Sequence, residues 1–283
     1  MSHPGEISRL AGLIRPKVAA ITNVAPAHLE FFDSVADIAA AKAEIYEPLD
    51  AKDTAIAPAD EPLLWTRARA SKASVRLFGD GSRSSLSASD VEMTLDGSTF
   101  ELQGEGFKTP VLLPVAGPHA ISNFLLAASV GLALGLSPAE ITERASRLKS
   151  SSNRGGLRRL QGDILLIDDT YNSNPRAVLS AVETLALAKD RRRVACIGEM
   201  LELGTNGPRL HREAGLAISA RVDLLLGVGA LAHELIDGAT SLPPEAKRVF
   251  ENSTALAAVI GDLIKDRDAV LVKGSRGVRM ERV

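Results

Sequence analysis

One stretch constrains this chain more than any other: Asp168-Asp169-Thr170-Tyr171-Asn172-Ser173-Asn174-Pro175, directly after the apolar run Ile164-Leu165-Leu166-Ile167. A short, unalternating apolar run bounded by turn residues reads as a buried parallel strand. Asn174 is a good N-cap and Pro175 a good first helical residue, so a helix is expected to start there. Two aspartates, a tyrosine and two asparagines then sit at the carboxyl end of a strand and face a helix N-terminus. Open α/β sheets bind ligands in that crevice, and helix N-termini favour phosphate. The plainer alternative is an ordinary strand-to-helix turn in which Asp and Asn act as caps.

The pattern around this stretch is strand and helix in alternation. Strands are expected near 164–168, 193–198, 223–228, 247–250 and 269–273, and helices near 175–188, 208–220, 230–237 and 253–265. That is a doubly wound α/β domain. Gly227-Val228-Gly229-Ala230-Leu231-Ala232 fits a dinucleotide-binding G-x-G-x-x-A by letters. It follows an internal strand, and no acidic residue clearly ends the next strand to hold a ribose, so it reads as a chance match.

Ser150-Ser151-Ser152-Asn153-Arg154-Gly155-Gly156 is the best linker candidate, dividing the chain into residues 1–149 and 150–283. The first half opens oddly. A loop and a short helix around Ile7 to Ile14 precede an apolar run, Val18 to Val24, where an α/β domain normally opens with a strand and a Gly-rich turn. Residues 35–49 form the clearest helix: Val35, Ile38, Ile45 and Leu49 share a stripe, and Ser34 can cap it. Lys42 lies on the same stripe, either snorkelling to solvent or held in a partly desolvated site where a neutral amine becomes available. Residues 74–115, with Asp96-Gly97 as a hairpin signal, read as a small antiparallel sheet. Apolar helices follow from Ala120 to Leu134 and from Ser137 to Leu148.

Composition excludes several classes. A net charge of −2 with scattered Lys and Arg gives no reason to expect nucleic acid. The Arg191-Arg192-Arg193 run reads as a solvated strand entrance. The single cysteine, Cys196, lies in an apolar run and is expected to be a buried core thiol in a reducing compartment. No apolar run approaches a membrane span and the N-terminus lacks a signal-peptide pattern, so a cytoplasmic chain without membrane insertion is expected.

Several separated motifs agree with one family. Asn23 to Glu30 and Ala41-Lys42-Ala43-Glu44-Ile45-Tyr46 resemble the central domain of the Mur ligases. Asp168 to Pro175, Gly198-Glu199-Met200-Leu201-Glu202-Leu203-Gly204, and Val272-Lys273-Gly274-Ser275-Arg276 with Met280-Glu281-Arg282 are similar to their C-terminal domain. The wording is nearest the members that add D-alanyl-D-alanine to UDP-MurNAc-tripeptide. The resemblance implies an α/β fold: part of a central ATPase-type domain, then a Rossmann-like C-terminal domain. It also implies an ATP-dependent amide ligase that forms an acyl phosphate and resolves it with an incoming amine, aided by Mg²⁺ and cationic side chains.

Residue by residue, the resemblance makes His28 a Mg²⁺ ligand. It makes Lys42 the lysine that reacts with CO₂, its carbamate holding a second Mg²⁺. His119 and Asn123 match a G-x-H-N-x-x-N segment of the adenine site, though this chain carries Ala120 where the family has its first asparagine. Arg154 matches an arginine that reaches ATP phosphates. Asp169, Tyr171, Asn172 and Asn174 would close over the nucleotide. Lys273, Ser275 and Arg276 would serve the second substrate or the phosphate, with Lys273 counted as catalytic.

The chain also departs from the family. No G-x-x-x-x-G-K-[ST] phosphate loop occurs in it, and the domain that holds UDP is not represented. It is expected to correspond to roughly the last three fifths of such an enzyme, and to expose a sheet edge and apolar surface in its first half. Two readings follow: a ligase active only in a longer chain or with a separate N-terminal segment, or a non-catalytic module that keeps some nucleotide affinity or serves as an interaction domain. A sister ligase acting on another amino acid or on folate is disfavoured by the wording of residues 169–175.

Overall fold

The computed structural model describes residues 1, 3–26 and 30–283. They divide into two compact units, Met1–Met93 with Gly97–Leu148 and Thr94–Asp96 with Lys149–Val283.

The first unit begins with helix α1 (Glu6–Ile14), strand β1 (Val18–Ala20), α2 (Val35–Ala43), β2 (Thr54–Pro58), α3 (Pro62–Ala70) and β3 (Ser74–Phe78). Strands β1, β2 and β3 run parallel, with Val18 opposite Thr54 and Thr54 opposite Ser74. Then come β4 (Leu86–Thr94), β5 (Gly97–Gly104) and β6 (Phe107–Leu113), followed by α4 (Pro118–Ala133) and α5 (Pro138–Ala145). Strands β5 and β6 are antiparallel. The antiparallel part is not separate: β4 meets β3 through the single parallel pair Phe78–Leu86, giving one sheet in the order β1-β2-β3-β4-β5-β6.

Period-two alternation explains how helices cover this sheet on both faces. Ala19, Ala55, Ala57 and Leu77 pack with Ile38 and Leu64 of α2 and α3. Their neighbours Val18, Ala20, Ile56 and Phe78 pack with Phe124 and Leu125 of α4. Ser34 caps α2 by accepting from Asp37 N–H at 3.2 Å, and Ser137 with Glu140 forms a capping box on α5. The helical stripe from residue 35 tightens into a 3₁₀ turn at Glu44–Tyr46.

The second unit holds β7 (Gly156–Leu160), β8 (Ile164–Asp169), α6 (Pro175–Leu185), β9 (Arg193–Gly198), α7 (Gly207–Ser219), β10 (Leu224–Val228), α8 (Ala232–Gly238), β11 (Lys247–Phe250), α9 (Ser253–Ala257), α10 (Ile260–Leu263) and β12 (Ala269–Lys273). The strand order is β11-β10-β9-β12-β8-β7, parallel except for β7. Strand β12 returns from the far edge to lie between β8 and β9, which makes that position the topological switch point. Right-handed crossovers then place α6, α7 and α8 on one face, and α9 with α10 on the other.

Three features differ from the sequence pattern. Strand β7 lies where a linker was expected to end; its Arg158, Arg159 and Leu160 are exposed, so it carries no apolar signal. The helix expected over 253–265 is broken between α9 and α10. The three arginines at 191–193 are paired: Arg191 with Asp163 at 2.8 Å, Arg192 with Asp268 at 2.6 Å and Arg193 with Asp223 at 3.0 Å. They clamp the end of the sheet where β9 begins. Cys196 is fully buried, and burial pushes its thiol up to about 12. Among the described residues no helix is long and apolar enough to cross a membrane.

Candidate functional site

The register of the second sheet builds the site. Because β12 runs parallel to β8 with Ala269 opposite Leu165, Lys273 stands opposite Asp169. Parallel partners point to the same face, so residues 104 apart meet at the carboxyl end of the sheet. Lys273 Nζ donates to Asp169 Oδ2 at 2.6 Å and to the Asn172 carbonyl at 2.8 Å. Lys273 is 2 % exposed. Burial lowers its pKa below the ordinary lysine value, and the Asp169 carboxylate only partly offsets that. Two of its three N–H donors are thus committed within the unit.

The loop from 168 to 175 is stitched in place from several sides. Thr170 Oγ1 donates to Asp168 Oδ1 at 2.8 Å, and Arg158 reaches Asp168 Oδ2 at 3.1 Å. Asn172 Oδ1 accepts from Ser173 N–H at 2.8 Å, and Asn174 Oδ1 accepts from Ala177 N–H at 2.9 Å. Asn174 is therefore the N-cap of α6, and its side-chain oxygen is already used.

Segment 153–155, part of the stretch read as a linker, is bound to this loop. Gly155 N–H donates to the Asp168 carbonyl at 2.8 Å, Tyr171 N–H to the Asn153 carbonyl at 3.0 Å, and Asn153 Nδ2 to Thr170 Oγ1 at 2.8 Å. Asn153 takes a left-handed φ of 60° to do so. These bonds set the Arg154 guanidinium 3.9 Å from the centroid of the half-exposed Tyr171 ring. A cation stacked on an aromatic ring at a helix N-terminus makes a flat, positive surface suited to an anionic, ring-bearing ligand.

Ser275 is buried beside Lys273 and links the crest loops: Leu201 N–H donates to its hydroxyl at 2.9 Å, and its own N–H donates to the Glu199 carbonyl at 3.2 Å. Arg276 is exposed and 3.7 Å from Glu281, apart from the Lys273 pair. The letters Gly227 to Ala232 do not open a phosphate cradle. The Glu199 carboxylate already accepts from Ala230 N–H at 2.9 Å there.

In the first unit, Lys42 is half-buried and its Nζ donates to the Asn23 carbonyl at 2.8 Å, so it leans on the chain after β1 instead of extending into water. His28 lies outside the described residues. His119 and Asn123 are four residues apart in the first turns of α4, hence on one face, with His119 half-buried and Asn123 exposed. Ala120 turns into the apolar core. Among the described residues no group of three His, Cys, Asp or Glu side chains could hold a metal.

Sequence reasoning missed two polar anchors. The Glu44 carboxylate accepts from Gly5 N–H at 2.7 Å and Ser8 N–H at 3.0 Å, satisfying the N-terminus of α1. His211, on α7, holds the loop after β9. Both act on backbone groups distant in sequence, which no spacing rule reveals.

The comparisons with known proteins agree with this layout. Residues 1–131 match the family model described as the Mur ligase middle domain, and residues 153–276 the one described as the Mur ligase glutamate ligase domain. The chain is 34% identical over 287 residues to the UDP-N-acetylmuramoyl-tripeptide--D-alanyl-D-alanine ligase of Escherichia coli (strain K12), covering 100% of this chain and 62% of that protein. It is 29% identical to the Bacillus subtilis (strain 168) ligase of the same name, again spanning 62% of its length. A crystal structure of MurF from Acinetobacter baumannii superposes with a TM-score of 0.91 at 28% identity, covering 99% of this chain and 61% of that one. MurF ligase from Thermotoga maritima in complex with ADP gives 0.87 at 26% identity, covering 100% and 64%. The chain thus spans less than two thirds of these relatives.

Proposed function

This chain belongs to the Mur ligase family, and from that premise we propose that it carries the catalytic crest of an ATP-dependent ligase joining D-alanyl-D-alanine to UDP-MurNAc-tripeptide. The observation that carries the reading is the buried Lys273–Asp169 pair at the switch point, which brings two of the resembling motifs into one hydrogen-bonded cluster.

In such a ligase the substrate carboxylate takes the γ-phosphoryl group of ATP, and the dipeptide amine then displaces phosphate from the acyl phosphate. Negative charge develops at each step, so fixed cations are the useful groups. Lys273, held by Asp169 and Asn172, has one N–H left to meet an anionic oxygen. Arg154 stacked on Tyr171 supplies a second cation with a ring platform for the nucleotide. The T. maritima relative is described in complex with ADP, which supports ATP as the nucleotide here. Asp169, Tyr171, Asn172, Asn174, His119 and Asn123 are assigned to the nucleotide, and Ser275 and Arg276 to the second substrate.

The placement of Lys42 is compatible with the Mg²⁺ role that the family resemblance implies. Lys42 Nζ donates to the Asn23 carbonyl at 2.8 Å, a bond that the N–H of a carbamate could keep. Lys42 as carbamate and His28 are the residues assigned to hold the ion. Bound there, Mg²⁺ would neutralise charge on the phosphoryl oxygens.

The test is phosphate release with Mg-ATP, UDP-MurNAc-tripeptide and D-alanyl-D-alanine, first by the 283-residue chain and then with a separately expressed segment carrying a Gly-Lys-Thr loop. The chain alone should be silent, since even one preorganised donor is worth about 10²–10³ in rate and the phosphate loop supplies several. Turnover should return on complementation. Silence from a folded, associated mixture would favour the non-catalytic module.

A further inference from the structure

The loops crowning the second sheet are tied together through Ser275. Besides its bonds to Leu201 and Glu199, its hydroxyl lies 3.4 Å from the Ser173 carbonyl. The start of the segment 199–203 that it grips is held from other sides too: Glu199 N–H donates to the Val228 carbonyl at 2.8 Å, its carboxylate accepts from Ala230 N–H, and Met200 is held by a histidine. Met200 N–H donates to Nε2 of His211 at 2.9 Å, while Nδ1 of His211 is 2.7 Å from the Gly207 carbonyl one turn earlier on α7. A carbonyl only accepts and an amide N–H only donates. The two partners together therefore assign the ring a proton on Nδ1, a lone pair on Nε2 and no charge. At 1 % exposure, water has little access to replace either bond.

We propose that His211 is a positioning residue: as its neutral Nδ1–H tautomer it holds segment 199–203 in the place Ser275 requires, and so sets the crest on which Lys273 stands. That this crest receives a dipeptide rests on the ligase reading; the anchoring itself does not.

Protonation breaks the arrangement, because an imidazolium would aim an N–H at the Met200 N–H. The charged groups facing the ring are Glu199 from the loop, and Glu234 and His233 from α8, with Glu234 itself engaged by Arg212. The two carboxylates favour the cation, but burial outweighs them and lowers the pKa from the ordinary 6.5. A depressed value means the contribution is complete above about 6.5 and is lost as pH falls through the native value.

The experiment is ¹⁵N NMR on the chain from about pH 8 to about pH 5, across the range where histidine titrates. It follows the His211 ring nitrogens and the exchange protection of the Met200 and Leu201 amides. The expected result is an Nδ1–H tautomer at high pH and a loss of Met200 protection of about tenfold or more as the ring protonates. Both should share a midpoint below 6.5, with β12 amides unchanged. His211→Gln, whose amide oxygen can accept from Met200 without titrating, should keep the protection and flatten its pH dependence. An Nε2–H tautomer, or Met200 protection indifferent to ring protonation, overturns the proposal even if the variant fails to fold. Adding D-alanyl-D-alanine separates the two readings. Shifts at Ser275 and Leu201 that vanish with the same midpoint support both, and no shifts with the titration intact count against the ligase assignment alone.

Discussion

The two units place a lysine at the carboxyl end of a parallel sheet, but they hold it differently. Lys273 ends a strand flanked on both sides, its ammonium fixed by a carboxylate and a carbonyl from one neighbouring loop. Lys42 donates to the Asn23 carbonyl just past β1, a strand of three residues at the end of its sheet. Helix α1, which packs against the Glu44–Tyr46 turn, presents Leu13 and Ile14 at 75% and 73% exposure. A flanked strand end is preorganised by its own sheet. An edge strand leaves one side of its crest to whatever packs there. The second unit thus holds its lysine at the end of a strand supported on both sides, and the first holds its lysine against the chain after a strand at the end of its sheet.

The largest effect should come from attacking the rigidity of the second unit. Helices α7 and α8 approach so closely that an added Cβ at Gly215 would overlap the backbone of Leu235, which no side-chain rotation relieves. Gly215→Ala should cost about 3 kcal/mol or more, read by urea unfolding of the second unit. A near-neutral result would mean these helices are looser than the comparison requires.

Next is the crest pair. The Asp169 side chain is 22% exposed against 3% for Lys273, so the two partners should not be equivalent. Asp169→Ala strands a buried ammonium and should cost about 3 kcal/mol, whereas Lys273→Met leaves a carboxylate that water reaches and should cost about half that. The Asp169→Ala penalty should shrink as pH rises towards 10.5. Asp169 is what partly offsets burial at Lys273, so without it the native lysine gives up its proton at lower pH than in the wild type, and the variant recovers stability first. Equal costs, or a penalty flat with pH, would show that Lys273 is better hydrated than the buried cluster implies.

How far the sequence foretold this follows the same physics. Strands 193–198, 247–250 and 269–273 were legible because they lie in parallel pairings whose burial or spacing between helices leaves few alternatives. Asn174 was legible as a cap because capping is local. Strand β7 was not, since an antiparallel edge bearing Arg158 and Arg159 looks like a loop. Nor was the continuity of the first sheet, which rests on one pair, Phe78 with Leu86. At the site, the motif residues could be named, but the Asp169–Lys273 register and the backbone bonds made by Glu44 and His211 exist only once distant segments meet.

The third test concerns how the first unit holds its own edge. Glu44 satisfies two N–H groups of α1, so Glu44→Ala should cost about 1 kcal/mol, as loss of a cap does. The loss should appear as faster amide exchange at Ser8 and Arg9 with the second unit unaffected. If α1 amides keep their protection, α1 is held mainly by the packing of Ala11, its one buried apolar residue.

The smallest expected effect sharpens the contrast most. If the outer face of α1 adds nothing to the core of the first unit, Leu13→Lys should change stability by no more than about 0.5 kcal/mol, the ordinary range for a surface site. It should also lower self-association, because exposed apolar side chains favour sticking. Unfolding and sedimentation would be measured together on the same protein. A cost well above 1 kcal/mol without a change in sedimentation would mean that the chain itself covers Leu13 in solution, and that the first crest is more self-sufficient than its edge strand suggests. Unchanged stability with reduced association would place the weakness of the first unit at this face.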